Sequence, residues 1–386
     1  MREMKRIFSS SEGMILTFIF TLMFIVTNLI MVDVGGVQDL MTGHNQTPFF
    51  ILILLVILAY LFKNSRVEIN PSRAMFLVIW NLYVLSIFIS MFANRDFVWA
   101  ETIVLVMLSV MFFFRLPKTL LIIMTVSALI SLPALLFQPI LLNESGATLV
   151  LIYTAGLIFL PKTNMAMLYY GLPALALLLV TTHSRTAIAV FALVTVIQLT
   201  FINVYKRDKR HRSRFLIGLA AVTLLPLIVF FRPLLSHFTR DGLGMDGADW
   251  NRITNGRYDP WMTILDNVTW LGEGRGYIDF TSLLHAHNIF FDTLGRYGII
   301  TTVLFTVLII GVLVISMKSV RTFNIGLYIL TFVLIGMTEY NYLFMFVYFS
   351  PVILFFVIVS HLLDQSGERE RIAYKMELWN KDTHAP

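Results

Sequence analysis

The chain contains no cysteine, and only 13% of its 386 residues are charged. Without cysteine there is no disulfide, no thiolate nucleophile and no Cys-based metal site. Soluble domains carry about 25% charged residues, so the shortage of charge argues against a water-soluble fold. Also missing are a fixed-period repeat, a low-complexity tract and a basic stripe interleaved with aromatics, so the net charge of +6 does not signal a nucleic-acid partner. What fills the chain is apolar. Hydrophobic residues make up 58% of it, and they come in long runs rather than at an amphipathic spacing, the pattern of membrane-spanning helices. The first run, from Met14, is too long and too oily for a cleaved signal and reads as a spanning helix.

Twelve runs approach the length a helix needs to cross the hydrocarbon core, roughly 17–25 residues. They are 14–33, 48–63, 74–93, 98–114, 119–142, 147–161, 165–182, 186–205, 215–232, 298–317, 323–340 and 342–363. The second and sixth are short, which suits tilted or partly re-entrant helices. The expected architecture is all-α: a polytopic integral membrane protein, one domain over 1–386, with 12 transmembrane helices, a large external loop at 233–297 and a polar cytoplasmic tail at 364–386.

Charge sets the orientation. With the N-terminus inside, 21 of the 29 basic residues fall on the inner side and 8 outside, and every lysine is inside. This is the bias expected of cytoplasmic loops. It puts both termini in the cytoplasm and the long polar stretch outside. The run Tyr205–Arg214 reads as a topology anchor against anionic lipid. The external cations are all arginines, whose flat fork of donors suits phosphate and carboxylate.

Within the external loop, residues 233–256 are rich in Gly and Asp. Asp241, Asp246 and Asp249 lack the spacing and terminal Glu of an EF-hand, so no metal is expected. Asp259 before Pro260 predicts a helix start. Trp261, Ile264, Leu265 and Val268 would share one face of an interfacial helix over 260–271, ended by Gly272, Gly274 and Gly276. An anion ahead of that helix would meet the Arg257 guanidinium and free backbone N–H groups. Equally, Arg257 reads as a solvated loop charge or one that reaches up to lipid phosphate. Arg275, between two of the glycines, is a further external guanidinium.

His285 and His287 are two residues apart, a poor helical metal pair. His287 and Asn288 precede the helix that leads into the span at 298. An imidazole of ordinary pKa, about 6.5, accepts a proton from an attacking hydroxyl at neutral pH. The other reading of the pair is a helix-capping Asn beside a hydrogen-bonded structural His. Arg185, in Thr182-His183-Ser184-Arg185-Thr186, lies so close to an apolar run that it must face a wet cavity or an anionic partner, or else snorkel to the interface. Ser184 beside His183 has no third member for a hydrolase triad. Glu339 sits at the outer end of the span 323–340. Separate stretches thus bring Arg185, Arg257, His287 and Glu339 to one face.

These residues resemble the O-antigen ligase and polymerase superfamily of bacterial envelope proteins. The likeness rests on Ser184-Arg185-Thr186, on Gly256-Arg257 with Trp261, and on Gly272-Glu273-Gly274. It continues in Ala286-His287-Asn288 with nine residues between Asn288 and Gly298, in Thr301 and, less closely, in Glu339. It covers 182–340 by motif and the first half only by span number. It implies a glycosyltransferase of the bacterial cell (inner) membrane that uses no metal or nucleotide cofactor. Its partners would be a glycan donor on undecaprenyl diphosphate, a glycan acceptor, membrane lipid, and a chain-length regulator or flippase. Arg185, Arg257, His287 and Glu339 would be catalytic, with Arg185, Arg257, Asn288, Trp261 and Arg275 binding substrate. Asp33, in the first external loop, reads as an early acidic base of the kind such enzymes use or as a helix-end residue. The leading expectation is a polymerase of repeat units for O-antigen, capsule or exopolysaccharide. A ligase that moves finished glycan to lipid A core or another envelope acceptor is the alternative. A flippase is the third reading; it would want polar groups or interrupted helices near midspan, whereas here they gather at the outer ends.

Overall fold

The structure is a computed structural model that describes residues 7–30, 47–137, 143–182, 184–205, 243–244, 247–254, 256–278, 286–337 and 352–367. Among the described residues the regular structure is helical apart from an antiparallel pair of two-residue strands, β1 (Leu243–Gly244) and β2 (Gly247–Ala248). The helices of the first half are α1 (Ser11–Ile30), α2 (Thr47–Asn64), α3 (Pro71–Ala93), α4 (Trp99–Met111), α5 (Lys118–Ser131), α6 (Asn143–Gly156), α7 (Asn164–Thr181) and α8 (Arg185–Tyr205). In the polar stretch between α8 and the next long helix stand α9 (Trp250–Thr254) and α10 (Tyr258–Asp266). They are followed by α11 (Ile289–Met317), α12 (Phe323–Gly336) and α13 (Val352–Gly367).

Eleven of the twelve apolar runs overlap described helices, 342–363 only from residue 352 on; 215–232 lies outside the described residues. Among the described residues, six helices are long and apolar enough to cross a membrane: α1, α3, α5 with the 3-10 turn that continues it, α7, α8 and α11. Five more are apolar but shorter: α2, α4, α6, α12 and α13. Their ends follow local chemistry. Asn70 caps α3, its side chain accepting from the Arg73 N–H, with Pro71 in the first turn. Thr163 caps α7 in the same way.

One large apolar core runs through the bundle. The helices also carry apolar residues on their outer surfaces: Ile300, Val303, Val307, Ile310 and Val314 form an exposed stripe along α11. Stripes of this size are costly in water and suit hydrocarbon.

Cross-links fix which helix ends lie together. Ser90 and Ser86 of α3 bond Arg296 and Thr301 of α11, so these helices run antiparallel. Phe201 of α8 stacks on Phe323 of α12 with ring centroids 4.0 Å apart. Arg185 is therefore at the opposite end of α8, the end where α12 finishes at Gly336. At the Phe323 end sit Lys162, whose amine donates to Val320 O, and Lys318.

That same end is tied by a buried charge. Arg73 is completely buried and donates to the carbonyls of Glu68, Phe114 and Ser360 and to Asp364 Oδ1 at 2.8 Å. Asp364 Oδ2 accepts from the Leu116 N–H. Asp364 thus belongs to α13 and the bundle, and the polar tail expected from 364 has its first residues in a helix that runs to Gly367.

Candidate functional site

The site is assembled around a break in α11. Gly298 has φ +82° and ψ −175° within an otherwise helical segment. The helix begins at Ile289, directly after Asn288 and ahead of the apolar span at 298, and the glycine is its kink. The positive φ and the approach of another chain segment both call for glycine. A Cβ on Gly298 would overlap Gly272 N and the Trp270 carbonyl, and one on Gly272 (φ +72°) would overlap the Arg296 carbonyl. The loop 269–273 therefore lies directly on the kink and takes up its backbone groups. Ile299 N donates to Thr269 O, Glu273 N donates to Gly295 O, and Ser90 Oγ donates to Leu271 O at 2.5 Å. In an apolar surrounding such groups need a protein partner.

Beside the kink lies a small second core of Ile264, Tyr277, Ile278 and Ala286, with Trp261, Phe291 and Leu294 packed on it. Gly295 leaves room for the Tyr277 ring, which a Cβ there would overlap. The buried face of α10 is Pro260 and Ile264, with Trp261 at its edge. Leu265 and Val268, expected to share that face, point outward, and the helix stops at Asp266 rather than 271.

His287 sits in the turn before α11, outside the helix, at φ +52°, a left-handed conformation unusual for a side-chain-bearing residue. Both sides of the turn are held. Ala286 N donates to Asp292 Oδ1 at 2.7 Å, and Ala286 O accepts from Trp261 Nε1 at 2.7 Å. Trp261 also stacks on Phe291, 7° from parallel. After His287, Asn288 caps α11: its Oδ1 accepts from Phe290 N and Phe291 N, and its Nδ2 donates to Met337 O at the end of α12. The polar atoms of Trp261 and Asn288, expected at the substrate, are thus engaged by the scaffold.

Arg257 is the residue at the start of α10, one turn before Trp261 and on the same side of the helix. This brings it to the Ala286–His287 turn. Burial lowers the His287 pKa to about 4, and the nearby Arg257 charge adds to the effect. The imidazole is neutral at pH 7. The helix start itself differs from expectation. Arg257 takes the cap position in place of Asp259, and the first N–H groups are already bonded, Tyr258 N to Thr254 Oγ1 and Asp259 N to Asn251 Oδ1, both at 3.0 Å. An anion here would meet the guanidinium without a free helix terminus.

Arg185 is half-buried at the start of α8, at the same end of the bundle as Asn288 and Met337. Ser184 caps that helix by accepting from Ala187 N, a structural use of its hydroxyl. Arg275 has its backbone in the 3-10 turn Gly274–Ile278, and its side chain lies outside the described part. Glu339, Asp33 and His183 lie outside the described residues. Arg296, counted among the external arginines, is buried and pairs with Glu101 at 3.3 Å.

Three residues central to this geometry carry no motif: Asp292, Tyr277 and Gly295. Asp292 is buried, and its Oδ1 also accepts from Tyr277 Oη. An ionisable residue inside an apolar helix is itself a signal, and Asp292 carried it. Among known proteins, no family model and no curated sequence matches this chain.

Proposed function

We propose that the chain is a glycosyltransferase of the bacterial cell membrane that polymerises undecaprenyl-diphosphate-linked repeat units on the outer leaflet. The observation that carries the reading is the meeting of Arg257 with a neutral, half-buried His287 at the head of a broken helix. Arg185 at the same end of the bundle supports it, as do the Arg and His-Asn motifs named above. Guanidiniums suit a diphosphate. A neutral imidazole suits an acceptor hydroxyl.

In the reaction, the acceptor hydroxyl oxygen bonds to the anomeric carbon of the donor. The bond from that carbon to the diphosphate oxygen breaks, and undecaprenyl diphosphate leaves with the electron pair. The hydroxyl proton passes to His287. Arg257 and Arg185 meet the charge that grows on the leaving oxygen, an electrostatic contribution larger in the leaving state than in the bound donor. Donor binding also prepares the base. With the diphosphate on Arg257, the guanidinium charge that disfavours protonation of His287 is offset, so the imidazole becomes more basic when substrate is present.

The kink at Gly298 is a feature that favours transport, since transporters use broken helices. Its backbone groups, however, bond to Thr269, Glu273 and Ser90 rather than line a cavity. Deleting the protein tests all readings at once. A polymerase leaves single repeat units on the surface acceptor. Full-length polymer retained on the lipid carrier indicates a ligase, and units held on the inner leaflet indicate a flippase. Unchanged surface polysaccharide overturns the proposal.

A further inference from the structure

We propose that Asp292 is the positioning residue for His287, acting through the Ala286 peptide and completed by Tyr277. The inference rests on the glycosyl-transfer reading for its kinetic consequence, but its geometry stands apart from it. His287 holds a left-handed backbone conformation, and a strained residue of this kind persists only where its surroundings over-determine it. Here they do so through the residue before it. The Ala286 N–H is bound by Asp292 and its carbonyl by Trp261, each at 2.7 Å. The N–H and the carbonyl of Ala286 belong to successive peptide planes, and each plane is held by its own bond, so the backbone leading into His287 is set from the first turn of α11 and from α10 together.

The carboxylate is buried with its oxygen shared by two donors, Tyr277 Oη and Ala286 N. Its place in the first turn of α11 is favourable for negative charge. The arrangement is matched on the next turn, where Gly295 gives the Tyr277 ring its space. Tyr277 comes from the 3-10 turn Gly274–Ile278 that leads on from the loop over the kink. One oxygen thus joins that turn, α11 and the His287 turn. No polar atom of Asp292 or Tyr277 needs to touch substrate for this, which makes the role one of positioning.

The test uses the full-length protein in membranes with three variants, Asp292→Ala, Asp292→Asn and Tyr277→Phe. Two readouts apply: the rate at which diethyl pyrocarbonate modifies His287, followed by mass spectrometry, and the kcat and KM for a lipid-diphosphate-linked donor. An amide oxygen can accept the same two hydrogen bonds, so Asp292→Asn should keep both readouts near those of the unaltered protein. Asp292→Ala should speed modification of His287 and lower kcat about 100-fold, the effect of displacing a reacting group by roughly 1 Å, while donor KM stays close to its starting value. Tyr277→Phe should shift both readouts in the same direction by less. Modification of His287 in Asp292→Ala at the unaltered rate overturns the proposal, as does an Asp292→Asn as impaired as the alanine variant. If Asp292→Ala fails to insert, Tyr277→Phe decides: an unchanged His287 rate overturns the proposal and a faster one supports it. An unaltered protein with no transferase activity, but with His287 still governed by Asp292, sinks the glycosyl-transfer reading and leaves the positioning role standing.

Discussion

At the scale of single residues, the proposed chemistry turns on an imidazole that is neutral at pH 7. Burial is the larger cause of the low pKa of His287, about 4, and Arg257 the smaller. Replacing Arg257 by Gln removes a like charge, so the His287 pKa rises, though burial keeps it below the ordinary 6.5. Diethyl pyrocarbonate attacks the neutral ring, and the expected result is a pH profile for His287 that falls off at higher pH in Arg257→Gln than in the unaltered protein. An unchanged profile would mean that the two side chains do not interact. The linkage sign follows. The folded pKa is depressed, so between about pH 6.5 and 4 the unfolded state binds a proton that the folded state refuses. The stability associated with neutral His287 is complete above pH 6.5 and is lost as pH falls toward 4. On the reading proposed here, His287→Ala and Arg257→Ala abolish transfer while the protein still inserts; wild-type polymer from either variant contradicts it. The sequence alone makes His287 and Arg257 visible, each with a bland alternative, and the charge-derived topology brings them to one face. It could not show Asp292 in its role, because the bond to Tyr277 joins residues 15 positions apart through a fold that spacing does not reveal.

Among the elements, α11 is the one that makes a site possible. Without a break, its first nine residues would continue the line of the span. With Gly298 at φ +82°, they turn away and the loop 269–273 fills the corner. Gly298→Ala forces a side chain into both a disfavoured φ and the Gly272–Trp270 backbone. Overpacking of this kind costs about 1–3 kcal/mol, with about 1 kcal/mol more for the backbone. The expected outcome is a lower thermal-aggregation midpoint in detergent and loss of transfer. Ile300→Ala, two residues along on the exposed stripe, is the control that should change little. The sequence shows a helix leading from Asn288 into the apolar span but not its break at Gly298, nor that Asp292 and Arg296 are buried against Tyr277 and Glu101, which lie elsewhere in the chain. The start of α10 was misread for a related reason. Asp259-Pro260 looks like a cap, but Asn251 takes the Asp259 carboxylate and its N–H, and the helix begins two residues earlier, at Tyr258 after Arg257. Long apolar runs were legible because burial and span length act locally. Caps and kinks set by contacts with distant segments were not.

For the whole molecule, two ends of the bundle have different chemistry. At one, Arg73 fastens α13, the start of α3 and the Phe114 turn with four hydrogen bonds. Asp364→Ala strands a buried guanidinium and should cost about 3–5 kcal/mol. Arg73→Lys should also destabilise, since an ammonium lacks the fork that reaches all four acceptors. A thermal midpoint unchanged by either substitution would show that α13 is held by apolar packing alone. The described lysines, Lys63, Lys118, Lys162 and Lys318, gather at this end, and Arg185, Arg257 and His287 at the other. Lysines gathered at one end, with arginines at both, is the distribution expected if the lysine end is cytoplasmic. The absence of cysteine makes this directly testable, because any introduced thiol is the only one in the chain. Asp266→Cys places a thiol on the exposed end of α10, and Lys318→Cys places one just after α11. In intact cells, a membrane-impermeant maleimide should label Asp266→Cys and leave Lys318→Cys unlabelled until the membrane is opened. The reverse pattern would put His287 on the cytoplasmic face, where no outer-leaflet donor could reach it, and would overturn the proposed function even if every residue-level prediction held. Equal labelling of both in intact cells would mean that the two ends are not separated by a membrane at all.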